Sequence, residues 1–306
     1  MKKYGPYLIF LAAMLWATDA PFRLHLTQEL SSNFIVLAEH FVSVLFVLPI
    51  LLLNWSELKR LTLKDWVAVL FIAICGSALA AVAFTQAFHY VNPSVAILLQ
   101  KLQPFIAISL AGVLLKERLS ERFWLFAVLA LAGAYLISFP NLLPQVYPGE
   151  TFNPNLIGTG LALIAAFFWG ASTVFGKYVL NTTNFKVMTS LRFCLGFLFL
   201  LGLNFYQQTF PSFSAITTTD YLFIVIVALT SGVVSLFIYY KGLANTKASV
   251  ATLAELGFPL AAVVVNWLFI PNSTLVPMQF VGIAALLCAV WGLARYNQSA
   301  SVQSPR

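Results

Sequence analysis

The chain has 306 residues, of which 60% are apolar and 9% charged, with a formal net charge of +7. That balance excludes a water-soluble globular domain, which has no interior large enough to hide so much apolar surface. A nucleic-acid reader is excluded too, because the basic residues are scattered among short loops rather than clustered with aromatics on one face.

Apolar runs of about twenty residues, each long enough to cross about 30 Å of hydrocarbon as a helix, recur along the whole length. In chain order the predicted spans are Gly5 to Leu24, Phe34 to Leu53, Trp66 to Phe88, Ser94 to Leu115, Phe123 to Phe139, Ile157 to Val179, Val187 to Phe205, Tyr221 to Ala244, Val250 to Ile270 and Met278 to Ala294. Strands of a membrane barrel would alternate apolar and polar residues, and these runs do not, so the predicted fold class is an all-α membrane protein with ten transmembrane helices. The first run follows Lys2 and Lys3 but leads to no small-residue cleavage site, and is read as a retained helix rather than a signal peptide. Cys75, Cys194 and Cys288 fall inside spans, at spacings that suit neither metal ligation nor a disulfide framework, and are read as apolar packing residues.

With the N-terminus inside, Lys2, Lys3, Lys59, Arg60, Lys64, Lys116, Arg118, Arg122, Lys177, Lys186, Lys241, Lys247, Arg295 and Arg306 fall on the cytoplasmic side. These are fourteen of the 17 lysines and arginines. Arg23 is placed outside, and Lys101 and Arg192 lie within spans. The outer loops Pro140 to Asn155 and Gln207 to Thr219 hold neither lysine nor arginine. Both termini are therefore expected in the cytoplasm and the chain in a plasma (inner) membrane.

A shift of 155 residues lays Asp65 on Asp220, Ser94-Val95-Ala96 on Ser249-Val250-Ala251, Leu98 on Leu253, Pro104 on Pro259 and Ala130 on Ala285. A shift of 153 lays Trp16 on Trp169 and Phe22 on Phe175, and His40 meets Arg192 at 152. Because each copy holds five helices, an odd number, the second must enter the membrane inverted. Charge agrees with this: the basic loop Glu57 to Lys64 matches the lysine-free loop before Asp220, and Lys116 to Arg122 matches the uncharged stretch Pro271 to Pro277. The expected organisation is a first repeat over 1–140, an outer loop over 141–155, a second repeat over 156–295 and a disordered cytoplasmic tail over 296–306.

Several pieces then carry a resemblance. They are Leu15-Trp16-Ala17 and Phe168-Trp169-Gly170 in the first helix of each half, Leu191-Arg192-Phe193, Leu102-Gln103-Pro104, and Lys116-Glu117-Arg118-Leu119 after the fourth helix. In these the chain resembles the drug/metabolite transporter superfamily, of the ten-helix type with paired EamA domains. His40 stands where the first half commonly has arginine, and Asn272 where the second commonly has glutamate. The resemblance implies a carrier of a small polar metabolite working by alternating access around a midplane cavity lined by helices 1, 3, 4, 6, 8 and 9.

A charge inside a span costs at least about 2.5 kcal/mol on insertion scales, so it faces a cavity or a partner. Asp19, Glu39, Lys101, Arg192 and Glu255 are such groups, with His40 a possible sixth. Asp19, Glu39 and Lys101 lie toward the outer side by depth, Arg192 and Glu255 toward the inner, and each set is expected to form an ion-paired cluster. Pro104 and Pro259 release the carbonyls of Gln100 and Glu255, so that kink and polar side chain coincide at a cavity wall. The expected substrate-binding residues are Trp16, Asp19, Gln100, Lys101, Trp169, Tyr239 and Glu255. Trp16 and Trp169 sit too deep for an interfacial belt and suit stacking on a planar solute. Glu39, His40, Pro104, Arg192 and Pro259 are expected to be structural or gating. Core packing and helix stapling are the alternative readings throughout, and interfacial anchoring is the alternative for Tyr239 and Tyr240. Ala127, Ala130 and Ala134 form a small-residue face suited to close packing within the fold or in a homodimer.

No phosphate-binding loop, zinc-type cluster or nucleophile elbow occurs, so neither an enzyme nor a bound cofactor or metal is expected. The favoured cargo is an amino acid or related solute held between Lys101 and Glu255, exported, with protons as a candidate coupling ion. The competing class is a non-transporting receptor or scaffold whose buried charges serve only packing.

Overall fold

The computed structural model describes residues 4–87, 90–91, 93–142, 156–211, 216–269 and 275–302, so Pro271 and Asn272 lie outside the described residues, as does most of the loop 141–155. The described residues form ten helical spans. Six are built as single or near-continuous rods: α2 (Ser32–Leu53), α5 (Glu121–Ser138), α6 (Leu156–Val179), α7 (Phe185–Gln207), α10 (Pro277–Val302) and α3, which runs from Leu63 to Ala87. The span α8 runs from Thr218 to Ala244. Three are broken: α1 into Gly5–Trp16 and Ala20–Glu29, α4 into Pro93–Gln100 and Gln103–Leu114, and α9 into Ala248–Ala254 and Gly257–Phe269. Eight of the ten are long and apolar enough to cross a membrane by length and composition, and α4 contributes a shorter apolar helix over Leu98–Leu114.

The two halves repeat one another in detail. At the start of α3 the Thr62 hydroxyl accepts from the Asp65 N–H at 3.3 Å while the Asp65 carboxylate accepts from the Thr62 N–H at 2.8 Å. Thr217 and Asp220 do the same at the start of α8, at 3.2 and 2.8 Å, offset by the same 155 residues. Such a reciprocal cap satisfies two N–H groups that the first helical turn leaves open. Further along, both helices widen into a π-helical stretch, Ile72–Leu79 in α3 and Ala228–Val234 in α8. Small polar pairs, Gly76-Ser77 and Ser231-Gly232, lie within these stretches. The breaks of α4 at Lys101-Leu102 and of α9 at Glu255-Leu256 are likewise one repeat apart, each just ahead of the proline that removes a helical hydrogen bond.

Packing follows the same two-fold logic. Helix α1 lies on α8 and α9, while its counterpart α6 lies on α3 and α4; α2 pairs with α7, and α5 with α10. Glycines mark the closest crossings. A Cβ on Gly133 would stand 2.8 Å from the Gly282 carbonyl oxygen, and one on Gly282 would stand 2.8 Å from that of Gly133. The small-residue face of α5 is used inside the chain: Ala127, Ala130 and Ala134 are buried with Leu286, Ala289, Val290 and Leu293 of α10. Close approach of two backbones through small residues is how membrane helices gain contact where lipid supplies no hydrophobic drive.

Three expectations need correction. Helix α10 continues to Val302, so the tail expected to be disordered from residue 296 is helical over 296–302. Cys288 is exposed on α10 rather than packed. The carbonyl of Glu255, expected to be left free by Pro259, accepts from the Phe258 N–H at 3.1 Å, because the break tightens into a three-residue turn.

Replacing Gly282 with valine drives methyl groups into the α5 backbone, which has no side-chain end to yield. We expect a loss of about 1–3 kcal/mol, read as a lower melting temperature in detergent, while Gly112→Ala, which has nothing within 4 Å of its added carbon, leaves it unchanged.

Candidate functional site

The break in α9 places Glu255 where α1, α4, α6 and α8 converge. Its Oε1 accepts from the Tyr239 hydroxyl of α8 at 2.7 Å and lies 3.0 Å from the Thr173 hydroxyl of α6; its Oε2 accepts from the Gln103 amide of α4 at 2.7 Å. The Thr173 and Tyr239 hydroxyls are themselves 2.9 Å apart. Trp16 of α1 packs on the Tyr239 ring, with centroids 5.3 Å apart at 50°. Thr173 and Tyr239 are buried, whereas Glu255, Trp16, Gln100, Lys101 and Gln103 keep part of their surface open. An acidic group, neutral donors and an aromatic face thus meet, partly accessible, where five helical spans converge. Such a lining holds a solute by a few directed hydrogen bonds and an apolar platform.

Helix breaks explain the geometry. Glu255 stands at the turn that ends Ala248–Ala254 and meets the α4 break, where Gln103 opens a new helical segment. Close approach of α6 to this point depends on Gly170, whose missing Cβ would stand 3.0 Å from the Gln103 carbonyl oxygen.

The expected ion-paired clusters are not what forms. Arg192 and Glu255 do not pair. Arg192 donates through Nε to the Ser77 hydroxyl at 2.6 Å, through one terminal nitrogen to the Tyr240 hydroxyl at 3.0 Å and through the other to the Gly76 carbonyl at 3.3 Å. It therefore fastens α7 to the π-helical stretch of α3 and to α8, a structural role in which the planar guanidinium uses its whole fork. Tyr239 and Tyr240, 4% and 0% exposed, serve Glu255 and Arg192 and are not interfacial anchors.

In the other expected cluster, Glu39 does not meet Lys101. Arg23, one turn beyond the α1 break, donates through Nε to Asp19 at 2.6 Å and through a terminal nitrogen to Glu39 at 2.8 Å. Asp19 is thus tied into an ion triad rather than joined to the Glu255 cluster. Among the described residues the side chain of Lys101 makes no ion pair or hydrogen bond, and that of Gln100 no hydrogen bond; the Lys101 N–H donates to the Leu98 carbonyl at 3.1 Å. His40 stays within its own helix: Nδ1 lies 2.8 Å from the Val36 carbonyl oxygen and the ring packs edge-on to Phe193, with centroids 5.4 Å apart. Trp169 packs on Phe84 of α3 at 5.3 Å, away from the Trp16–Tyr239 pair.

Arg23, Gln103 and Thr173 were missed as site residues. Arg23 had a signal in its four-residue spacing from Asp19, which puts the two on one helical face. Thr173 stands at the same spacing from Trp169. Gln103 belongs to the Leu-Gln-Pro motif, yet its partner 152 residues away has no local trace.

Removing the Arg23 charge leaves two carboxylates facing one another. We expect Arg23→Gln to destabilise the protein by about 1–2 kcal/mol, below the usual cost of breaking a buried pair because Arg23 is 37% exposed. A double-mutant cycle with Glu39→Gln, followed by thermal unfolding, should recover most of that loss.

The comparisons agree with this architecture. The model of the EamA-like transporter family matches residues 3–139 and again 156–295. A riboflavin transporter, ImpX, of Fusobacterium nucleatum is 32% identical over 304 residues, covering 96% of this chain and 98% of that protein. An uncharacterized transporter of Bacillus subtilis, YetK, is 22% identical over 95% of this chain and 86% of its own length. A protein of known crystal structure superposes with a TM-score of 0.74 at 17% identity, over 98% of this chain and 99% of that one. The chain is a multi-pass membrane transporter and belongs to the EamA-like transporter family.

Proposed function

We propose that this transporter carries a planar aromatic solute bearing hydroxyl groups, of the riboflavin type, through the space beside Glu255. The observation that carries the reading is the Trp16–Tyr239 ring pair set directly against a carboxyl group dressed only by neutral donors. A tricyclic ring fits such an aromatic platform, and a polyhydroxyl chain can replace Gln103, Thr173 and Tyr239 one bond at a time without leaving a buried polar group unpaired. The 32% identical relative named as a riboflavin transporter supports the same class of solute. Alternating access then consists of the two inverted halves rocking about the broken helices α4 and α9.

A second reading, export of an amino acid, is favoured by one observation: Lys101, without a partner among the described residues, is available to a solute carboxylate while Glu255 takes the amine. On either reading the chain lies in a bacterial plasma membrane with both termini in the cytoplasm, as the lysine and arginine bias requires.

Titration of the purified protein with riboflavin, followed by flavin fluorescence, tests the first reading. Trp16→Ala should weaken binding about tenfold, the ~1.4 kcal/mol expected of one aromatic contact, and Trp169→Ala should have less effect. Transport of labelled amino acids that riboflavin does not inhibit would replace the first reading with the second. For orientation, cysteines introduced at Arg60 and Ser120 should react with an impermeant reagent only from the cytoplasmic side, and one at Asn141 only from outside. Labelling of Ser120 and Asn141 from the same side would refute the inverted arrangement.

A further inference from the structure

The oxygens around Glu255 form a closed triangle: Tyr239 Oη to Glu255 Oε1 is 2.7 Å, Thr173 Oγ1 to Oε1 is 3.0 Å, and Thr173 Oγ1 to Tyr239 Oη is 2.9 Å. Each edge has hydrogen-bond length. Three edges need three hydrogens, and the two hydroxyls supply two. If both hydroxyls point at an ionised Oε1, the 2.9 Å edge between them holds two oxygens with only lone pairs facing each other. A third hydrogen on Oε1 completes the ring: the carboxyl O–H donates to Thr173, Thr173 donates to Tyr239, and Tyr239 donates to Oε1. Every oxygen then gives one hydrogen bond and takes one, while Oε2 remains free to accept from Gln103.

The charge around Glu255 points the same way. From α7, Arg192 is committed to Ser77, Tyr240 and the Gly76 carbonyl. From α6, Lys177 donates to the carbonyls of Leu243 and Ala244 at the end of α8. From α1, Asp19 is held by Arg23. From α4, Lys101 forms no ion pair with Glu255, and Glu117, in the loop that follows, caps the first N–H groups of α9. From α8, Tyr239 is a ring member and Tyr240 is bonded to Arg192. On α10, Arg295 stacks on Trp291, 4.0 Å from the ring centroid, near the membrane surface. No cation among these contacts the carboxyl, and an unpaired carboxylate in such a place is costly whereas a neutral acid in a closed ring is not.

We propose that Glu255 is a proton-binding site of the transporter, holding a proton in the solute-free state and releasing it when the solute binds. The release rests on the solute reading above, since the proton and the hydroxyl groups of a solute compete for the same oxygen. The step balances simply: the Oε1–H bond breaks, the proton passes to water in the open space, and the carboxylate accepts hydrogen bonds from the solute in its place. By linkage, a ligand that prefers the ionised form binds more tightly as pH rises.

Two measurements on the full-length protein test this. The infrared spectrum at neutral pH should contain a protonated-carboxyl C=O band that disappears in Glu255→Gln and shifts in Thr173→Val, which opens the ring. A spectrum in which neither variant alters such a band overturns the proposal, whatever the solute. Riboflavin affinity in the wild type should rise by up to about tenfold per pH unit, one proton released per solute, and Glu255→Gln should abolish that slope. A pH-independent affinity in the wild type overturns the release step. If riboflavin does not bind at all, the solute reading fails, while the infrared result still decides whether Glu255 carries a proton.

Discussion

An acidic group in hydrocarbon must find every one of its hydrogen-bond partners within the protein, and the arrangement of the helices around Glu255 meets that demand. Its three partners come from three different helices, and none is a charge. Neutral partners make the cluster exchangeable in a way an ion pair is not. Each bond is modest and a solute hydroxyl can substitute for it, whereas parting two buried opposite charges leaves both unpaired. The contrast with Arg192 is instructive, since each of its three nitrogens bonds a fixed protein atom and it behaves as a rivet.

Inversion of the repeat explains why the polar machinery falls where it does. The same local devices appear in both halves: a reciprocal Thr/Asp cap opening the third helix, a π-helical stretch with a small polar pair in its middle, and a break just before a proline in the fourth. Each device solves a backbone problem that lipid cannot solve, so each is retained in both orientations. Side chains hung on these devices are free to differ, and they do. Arg192 reaches across to the π-helical stretch of α3, while its counterpart His40 is too short to do so and turns back to the Val36 carbonyl of its own helix. Likewise Glu255 gathers a cluster, and Gln100, its counterpart, makes no side-chain hydrogen bond among the described residues.

Much of this was legible in the sequence because it is periodic or local. Spans follow from apolar length, the inversion from loop charge, and two of the three helix breaks, those of α4 and α9, from Pro104 and Pro259, whose missing N–H groups act within one turn. The repeat aligned Asp65 with Asp220, but their reciprocal caps with Thr62 and Thr217 were not read from the sequence. What could not be read were the partners. Glu39 and Lys101 share a depth, as do Arg192 and Glu255, and depth alone made ion pairs plausible. Pairing depends instead on which face of a helix turns inward and how far a side chain reaches, and both are set by packing between segments far apart in the chain. Arg23 shows the point: a residue assigned to the outer surface lies inside a helix that continues to Glu29, and from there it binds two carboxylates.

A carrier needs two nearly equal conformations and a reason for the solute to choose between them. On the alternating-access reading proposed above, the repeated backbone supplies near-equality, because rocking one way would present almost the same set of caps, crossings and breaks as rocking the other way. The choice has to come from whatever the halves do not share. Here that is a carboxyl at one break and, at the other, an amide and a lysine that pairs with no described residue, Glu255 against Gln100 and Lys101, with Trp16 on Tyr239 at one end and Trp169 on Phe84 at the other. The α9 break adjoins α1, α4, α6 and α8 at once, so on the proposed reading a change of bonding at one carboxyl is felt by helices of both halves. On the proposed reading, symmetry supplies the motion, and the unmatched residues at the two breaks couple it to the solute.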